Sequence, residues 1–124
     1  MVWSIAFHDE FEPEFEQLPE AVQDELLAHA NALKRDGPML GRPHVDTLAG
    51  SKFANMKELR FDALNGVWRV AFAFDPDRQA ILLVAGDKSG VGHKAFYKAL
   101  IRKADRRYGD HLDRRSRRTA DAGG

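Results

Sequence analysis

Between residues 55 and 85 the chain carries three strand-like runs separated by turns of a few residues, and this stretch limits the possible folds most. Parallel neighbours need a crossover of a dozen residues or more, so runs this close together must pair antiparallel. The first run covers residues 55–61. Asp62 to Gly66 supplies the turn, ending in Asn65-Gly66, a dipeptide suited to hairpins. The second run, 67–74, leads through Asp75-Pro76-Asp77 into the third, 79–85. The third is apolar after Gln79, enough to predict burial on both faces and a central place in the sheet.

The flanking segments add helices. Residues 2–7 predict a short strand with Trp3, Ile5 and Phe7 on one face. Residues 10–17 predict a short acidic helix with Asp9 near its N-cap. Pro19 suits the first turn of a second helix, whose buried stripe is Val22, Leu26, Ala30 and Leu33, widened by Leu27. Lys34 and Arg35 suit its negative end, and Gly37-Pro38 stops it. Residues 39–54 show no periodicity and read as a long loop. A last helix spans 93–108, burying Phe96, Leu100, Ile101 and Ala104. The expected order is β-α-α-β-β-β-α. Residues 1–112 form one domain, and 113–124 form a disordered basic tail carrying Arg114, Arg115, Arg117 and Arg118.

A chain of 124 residues has room for one modest core. No apolar run approaches the roughly 20 residues that span a bilayer, and the N-terminus lacks a secretory signal. With no cysteine, disulfides, iron–sulfur ligation and a thiol nucleophile are excluded. These features predict a cytoplasmic protein without membrane contact. Formal net charge is zero, but residues 1–55 hold ten acidic and four basic side chains, and residues 56–124 hold nine and fifteen. That split predicts an acidic face and a basic face, the latter suited to phosphates.

Strand alternation decides which side chains act together. Trp68, Val70, Phe72 and Phe74 share a core-facing side, so Arg69 points the other way. In the preceding run Leu59 and Phe61 join the core, leaving Glu58 and Arg60 beside Arg69 on an open, cationic outer face. Lys57 starts on the core side, from which its long stem can snorkel. Lys88 stands where the third run ends, in Gly86-Asp87-Lys88-Ser89-Gly90, whose glycines permit close approach of a ligand but lack phosphate-loop spacing. The five histidines (His8, His29, His44, His93, His111) have no ligand spacing, and Asp9, Glu10, Glu12, Glu14 and Glu16 read as solvated helix charge. Neither a metal nor a cofactor is expected. No Gly-x-Ser-x-Gly elbow appears.

Lys57-Glu58-Leu59-Arg60, then Gly66-Val67-Trp68-Arg69-Val70-Ala71-Phe72, resembles the RelE/ParE superfamily of toxins. Residues 82–90, Phe96-Tyr97 and the helix through Tyr108 resemble its HigB-like, phage-derived branch. The resemblance implies an α+β fold: a small antiparallel sheet with a mixed edge, against two N-terminal helices and one C-terminal helix. It implies a type II toxin, a metal-independent, ribosome-dependent endoribonuclease that cuts mRNA in the ribosomal A site and leaves a 2′,3′-cyclic phosphate. The implied partner is an antitoxin with a helix-turn-helix domain, through which alone operator DNA is met. The family's catalytic arginine falls on Arg69, its preceding basic positions on Lys57 and Arg60, and its later basic residue on Lys88. Tyr97 is the nearest match to a C-terminal tyrosine, and His93 the one histidine placed to stand for those of HigB. Glu58 or Lys57 is then the base, and Tyr97 or His93 the acid. The same fold also serves ParE-like gyrase inhibitors, and an inactive antitoxin-binding module is the other alternative.

Overall fold

A computed structural model describes residues 3–123. The N-terminal run forms β1 (Ser4–Phe7), while Val2 lies outside the described residues. The short helix α1 (Phe11–Glu16) follows, but Asp9 does not cap it. His8 does that work: its carbonyl accepts from the Phe11 and Glu12 N–H groups, and its Nδ1 accepts from the Glu10 N–H. Helix α2 (Glu20–Asp36) buries Val22, Leu26, Ala30 and Leu33 as its spacing requires, whereas Leu27 stays 43% exposed at the border of the stripe. Gly37 ends it at φ +54°, and a Cβ there would lie 2.4 Å from the Trp3 ring. Only glycine fits.

The expected loop contains a strand. Val45–Thr47 forms β2 and pairs antiparallel with β3 (Met56–Ala63), with Val45 opposite Leu59. Three residues without alternation give no sequence signal; pairing to β3 makes the strand. The hairpin between β3 and β4 (Gly66–Phe74) is tighter than expected, because Ala63 already pairs with Gly66. Leu64 and Asn65 make the turn at φ +50° and +62°, the twist that two-residue hairpin loops demand. β5 (Gln79–Asp87) completes a five-stranded sheet in the order β1-β5-β4-β3-β2, parallel between β1 and β5 and antiparallel elsewhere. β5 is buried on both faces but β4 is the central strand, since β2 adds a fifth member on the far side.

The sheet separates two cores. On one side α1 and α2 cover Leu59, Phe61, Val70, Phe72 and Leu82. On the other, α3 (His93–Gly123) covers Met56, Ala71, Ala73, Ile81 and Leu83 with Phe96, Leu100, Ala104 and Tyr108. The outer face of β3 and β4 is therefore not open, and this corrects the expectation for Arg69. Gly86 lets α3 approach: a Cβ there would meet the Phe96 ring at 2.9 Å. The glycine serves helix–sheet packing rather than a ligand.

Residues 113–120, expected to be disordered, continue α3. The stripe extends through Tyr108 and Leu112, and charge fastens the rest. Arg106 binds Glu10 at 3.1 Å, Arg107 binds Glu14 at 2.6 Å, Arg115 binds Asp77 at 2.7 Å, and Arg114 reaches Asp9. Carboxylates of the acidic first half, Asp9, Glu10 and Glu14, thus meet arginines of the basic second half along α3. No helix among the described residues is long and apolar enough to cross a membrane.

These pairs carry a pH signature. Hydrogen bonds from Arg107, Arg106 and Arg115 hold Glu14, Glu10 and Asp77 below their ordinary values of 4.5, 4.5 and 3.8. A carboxyl whose pKa falls on folding adds stability that is complete above its ordinary value and lost as pH drops through the folded one. The melting temperature should therefore be lower at about pH 3 than at about pH 5, with the decline starting below roughly pH 4.5. A melting temperature that does not decline over this interval would show that the pairs contribute nothing to docking of α3.

Candidate functional site

Register places Arg60 directly opposite Arg69, and Glu58 opposite Ala71, all on the α3 side of the sheet. The start of α3 crosses this ground and lowers Tyr97 onto it. Its hydroxyl is the hub: it donates to Glu58 Oε1 at 2.7 Å and accepts from Arg69 Nε at 3.2 Å. Arg69 Nε also lies 3.5 Å from Glu58 Oε1, with the two side chains only 7% and 8% exposed. Arg69 Nη1 donates to the Trp68 carbonyl at 2.9 Å. A guanidinium has five N–H donors, so three remain without a hydrogen-bond partner among the described residues.

Burial is the main force raising the Tyr97 pKa above 10.0; donation to Glu58 pushes the same way and Arg69 opposes. The phenol is therefore neutral at physiological pH and keeps its proton toward Glu58. His93, one helical turn earlier, sets its ring 4.8 Å from that of Tyr97. Lys88 places Nζ 5.7 Å from the Tyr97 ring centroid, in cation–π contact. Asp87 and Ser89 build the turn that carries it. Asp87 Oδ1 accepts from the Val67 and Ser89 N–H groups and from the Ser89 hydroxyl, while the Lys88 N–H donates to the Val67 carbonyl. Those bonds, the Ser89 hydroxyl first, hold Asp87 below its ordinary pKa.

Five of the seven candidates, Glu58, Arg69, Lys88, His93 and Tyr97, thus converge, and Arg60 stands beside Arg69. Arg60 is 34% exposed and 3.8 Å from Asp46, whose same carboxylate oxygen takes Arg42 at 2.8 Å. Two arginines on one carboxylate leave net positive charge at the edge. Lys57 is the exception. It shares the parity of Leu59 and Phe61 and opposes Phe72, so it belongs to the other side of β3. Asp46 and Arg42 were invisible in the sequence because the strand that carries Asp46 has no pattern of its own.

One group has the makings of a cation site: His8, Glu10 and Asp110 can bring ligand atoms within 4.8 Å of one another. It is already internally satisfied. His8 Nδ1 accepts from the Glu10 N–H, which puts the proton of the neutral ring on Nε2, where it is donated to Asp110 at 3.0 Å.

The chemistry available is that of a partly covered, cationic notch. It combines a phosphate-matching guanidinium, a carboxylate that can take a proton, a neutral phenol and an imidazole. Residues 13–109 match the family described as Phage derived protein Gp49-like (DUF891). The chain is 44% identical over 88 residues to the putative toxin HigB2 of Mycobacterium tuberculosis, covering 70% of this chain and 43% of that protein. It is 53% identical over 75 residues to the putative toxin HigB3 of the same organism, covering 60% and 63%. The chain therefore matches less than two thirds of either relative's length. Among solved structures, a double arginine-to-alanine variant of the E. coli toxin RelE in the free state aligns with a TM-score of 0.59. That alignment covers 83% of this chain and 97% of the other at 12% identity, which establishes a RelE-like fold.

Proposed function

Because the chain belongs to the Gp49-like family of phage-derived proteins, we propose that it is the toxin of a toxin–antitoxin module, acting as a metal-independent endoribonuclease on mRNA in the ribosomal A site. The observation that carries this reading is the Tyr97 hydroxyl held between Glu58 and Arg69, with Lys88, His93 and Arg60 around it. The RNA supplies its own nucleophile. Its 2′-oxygen attacks the adjacent phosphorus as the bond to the 5′-oxygen breaks, leaving a 2′,3′-cyclic phosphate and a 5′-hydroxyl. Arg69 offers its remaining donors to the non-bridging oxygens, and Arg60 and Lys88 add charge where it develops. Glu58 accepts the 2′-hydroxyl proton. A buried phenol is a poor acid near neutrality, so Tyr97 orients Glu58 and His93 protonates the leaving 5′-oxygen. Lys57, on the far side of β3, has no part.

The toxin works in the cytoplasm and is restrained by an antitoxin whose helix-turn-helix domain alone meets operator DNA. Since the ribosome positions the substrate, cleavage of free RNA is weak. Expression without the antitoxin should arrest growth and produce discrete cuts within translated frames, mapped as RNA ends soon after induction. Tyr97→Phe leaves Glu58 without the hydroxyl that orients it and should reduce cleavage by up to about 10²-fold, the low end for general-base catalysis. Altered DNA supercoiling with intact RNA, or normal growth at high levels of soluble protein, would overturn the reading.

A further inference from the structure

Beyond Arg69 the surface continues over the edge of β3 into a groove of about 440 Å³, the size of a small-ligand pocket. Arg60 and Arg69 line it together with His29, His44, Phe61, Glu25 and Asp62. The groove forms just before β2 begins, where the His44 carbonyl takes the Arg60 N–H of the β3 edge at 2.8 Å. Three rings stand together there. His29 stacks on Phe61 at 5.2 Å, and His44 meets His29 edge-on at 5.3 Å. These histidines are fifteen residues apart and come together only through the fold.

We infer that this groove is a nucleobase subsite, holding the base of the nucleotide next to the one cut at Arg69. The inference rests on the nuclease reading for its substrate and on the groove's own chemistry for its specificity. The exposed His44 ring and the part-exposed His29, which is backed by the buried Phe61, stand beside a cationic rim and suit single-stranded RNA, whose bases stack while arginines track the phosphates. Arg69 belongs to both sites, so one strand can pass from the notch into the groove. The lining also selects. His29 Nδ1 lies 2.8 Å from the Glu25 carbonyl, which only accepts, so that nitrogen carries the proton and the neutral ring offers Nε2 as an acceptor. With Glu25 and Asp62 the wall is rich in acceptors, which matches the exocyclic amino groups of adenine, cytosine or guanine and disfavours uracil.

Nucleoside 5′-monophosphates titrated into the full chain, with the histidine ring signals followed by NMR, test this without catalysis. AMP, CMP and GMP should shift His29 and His44 saturably, UMP should bind several-fold more weakly, and ribose 5-phosphate should leave both signals in place. His44→Ala, at an exposed position, should keep the fold and lower CMP affinity several-fold. No shift with any nucleotide, equal affinity for CMP and UMP, or equal shifts with ribose 5-phosphate would overturn the subsite. In cells, His44→Ala with His29→Gln should go on cutting RNA with a changed base preference beside the cut. An unchanged preference counts against the groove. If the parent protein cuts no RNA, the nuclease reading fails while the nucleotide titration still decides the subsite.

Discussion

Arg69→Ala should abolish toxicity and also lower stability, an effect on two fronts that follows from where the fold puts this side chain. With 7% exposure it is a buried cation, and its partner Glu58 is equally buried at 8%. Removing one member of a buried pair typically costs about 3–5 kcal/mol because the other charge is left uncompensated. Loss of the donor to a developing oxyanion separately slows the chemistry by about 10²–10³-fold. Two further variants separate these effects. Arg69→Lys keeps the charge but not the planar fork, so it should restore most of the melting temperature and only part of the cleavage. Glu58→Gln with Arg69→Ala removes both charges; it should melt closer to the parent than Arg69→Ala does and remain inactive. If Arg69→Lys is folded and fully active, bidentate phosphate binding by Arg69 is wrong.

Arg107→Ala should give a large loss of stability away from the candidate site. The side chain is 3% exposed and ties three parts of the molecule together: both terminal nitrogens bind the Glu14 carboxylate of α1, and Nη1 also donates to the Leu83 carbonyl of β5 at 2.7 Å. Truncation strands that buried carbonyl, a penalty of about 1–3 kcal/mol, and opens a void between helix and sheet. Glu14 is 43% exposed and recovers hydration, so the total stays below that of a fully enclosed pair, at about 2–4 kcal/mol. In a domain of this size each kcal/mol moves the melting temperature by several degrees, so a fall of about 10 °C is expected in a thermal melt. Arg107→Lys should recover little, since one ammonium cannot span Glu14 and Leu83 together. A melting temperature within about 2 °C of the parent would show that α3 does not depend on this clamp.

The local rules legible in the sequence were those that act over a few residues. Apolar spacing identified the buried stripe of α2, and alternation put Leu59, Phe61, Val70 and Phe72 in one core with Glu58, Arg60 and Arg69 on the opposite side. The motifs around Arg69, Lys88 and Tyr97 named most members of the cluster before any contact was known. What alternation cannot say is what lies over a face. Arg69 stands on the side predicted, yet it is buried, because α3 packs there through Phe96, Leu100, Ala104 and Tyr108. The same docking turns residues 113–120 from an unanchored tail into helix, since Asp9 and Asp77, distant in sequence, supply partners for Arg114 and Arg115. β2 exists only because β3 offers it an edge, and the His29–His44–Phe61 cluster only because α2, β3 and the loop before β2 meet. Periodicity records which way each side chain points from its own backbone. Which surface it then meets is settled by packing between segments tens of residues apart, where hydrophobic burial and ion pairing depend on the whole fold.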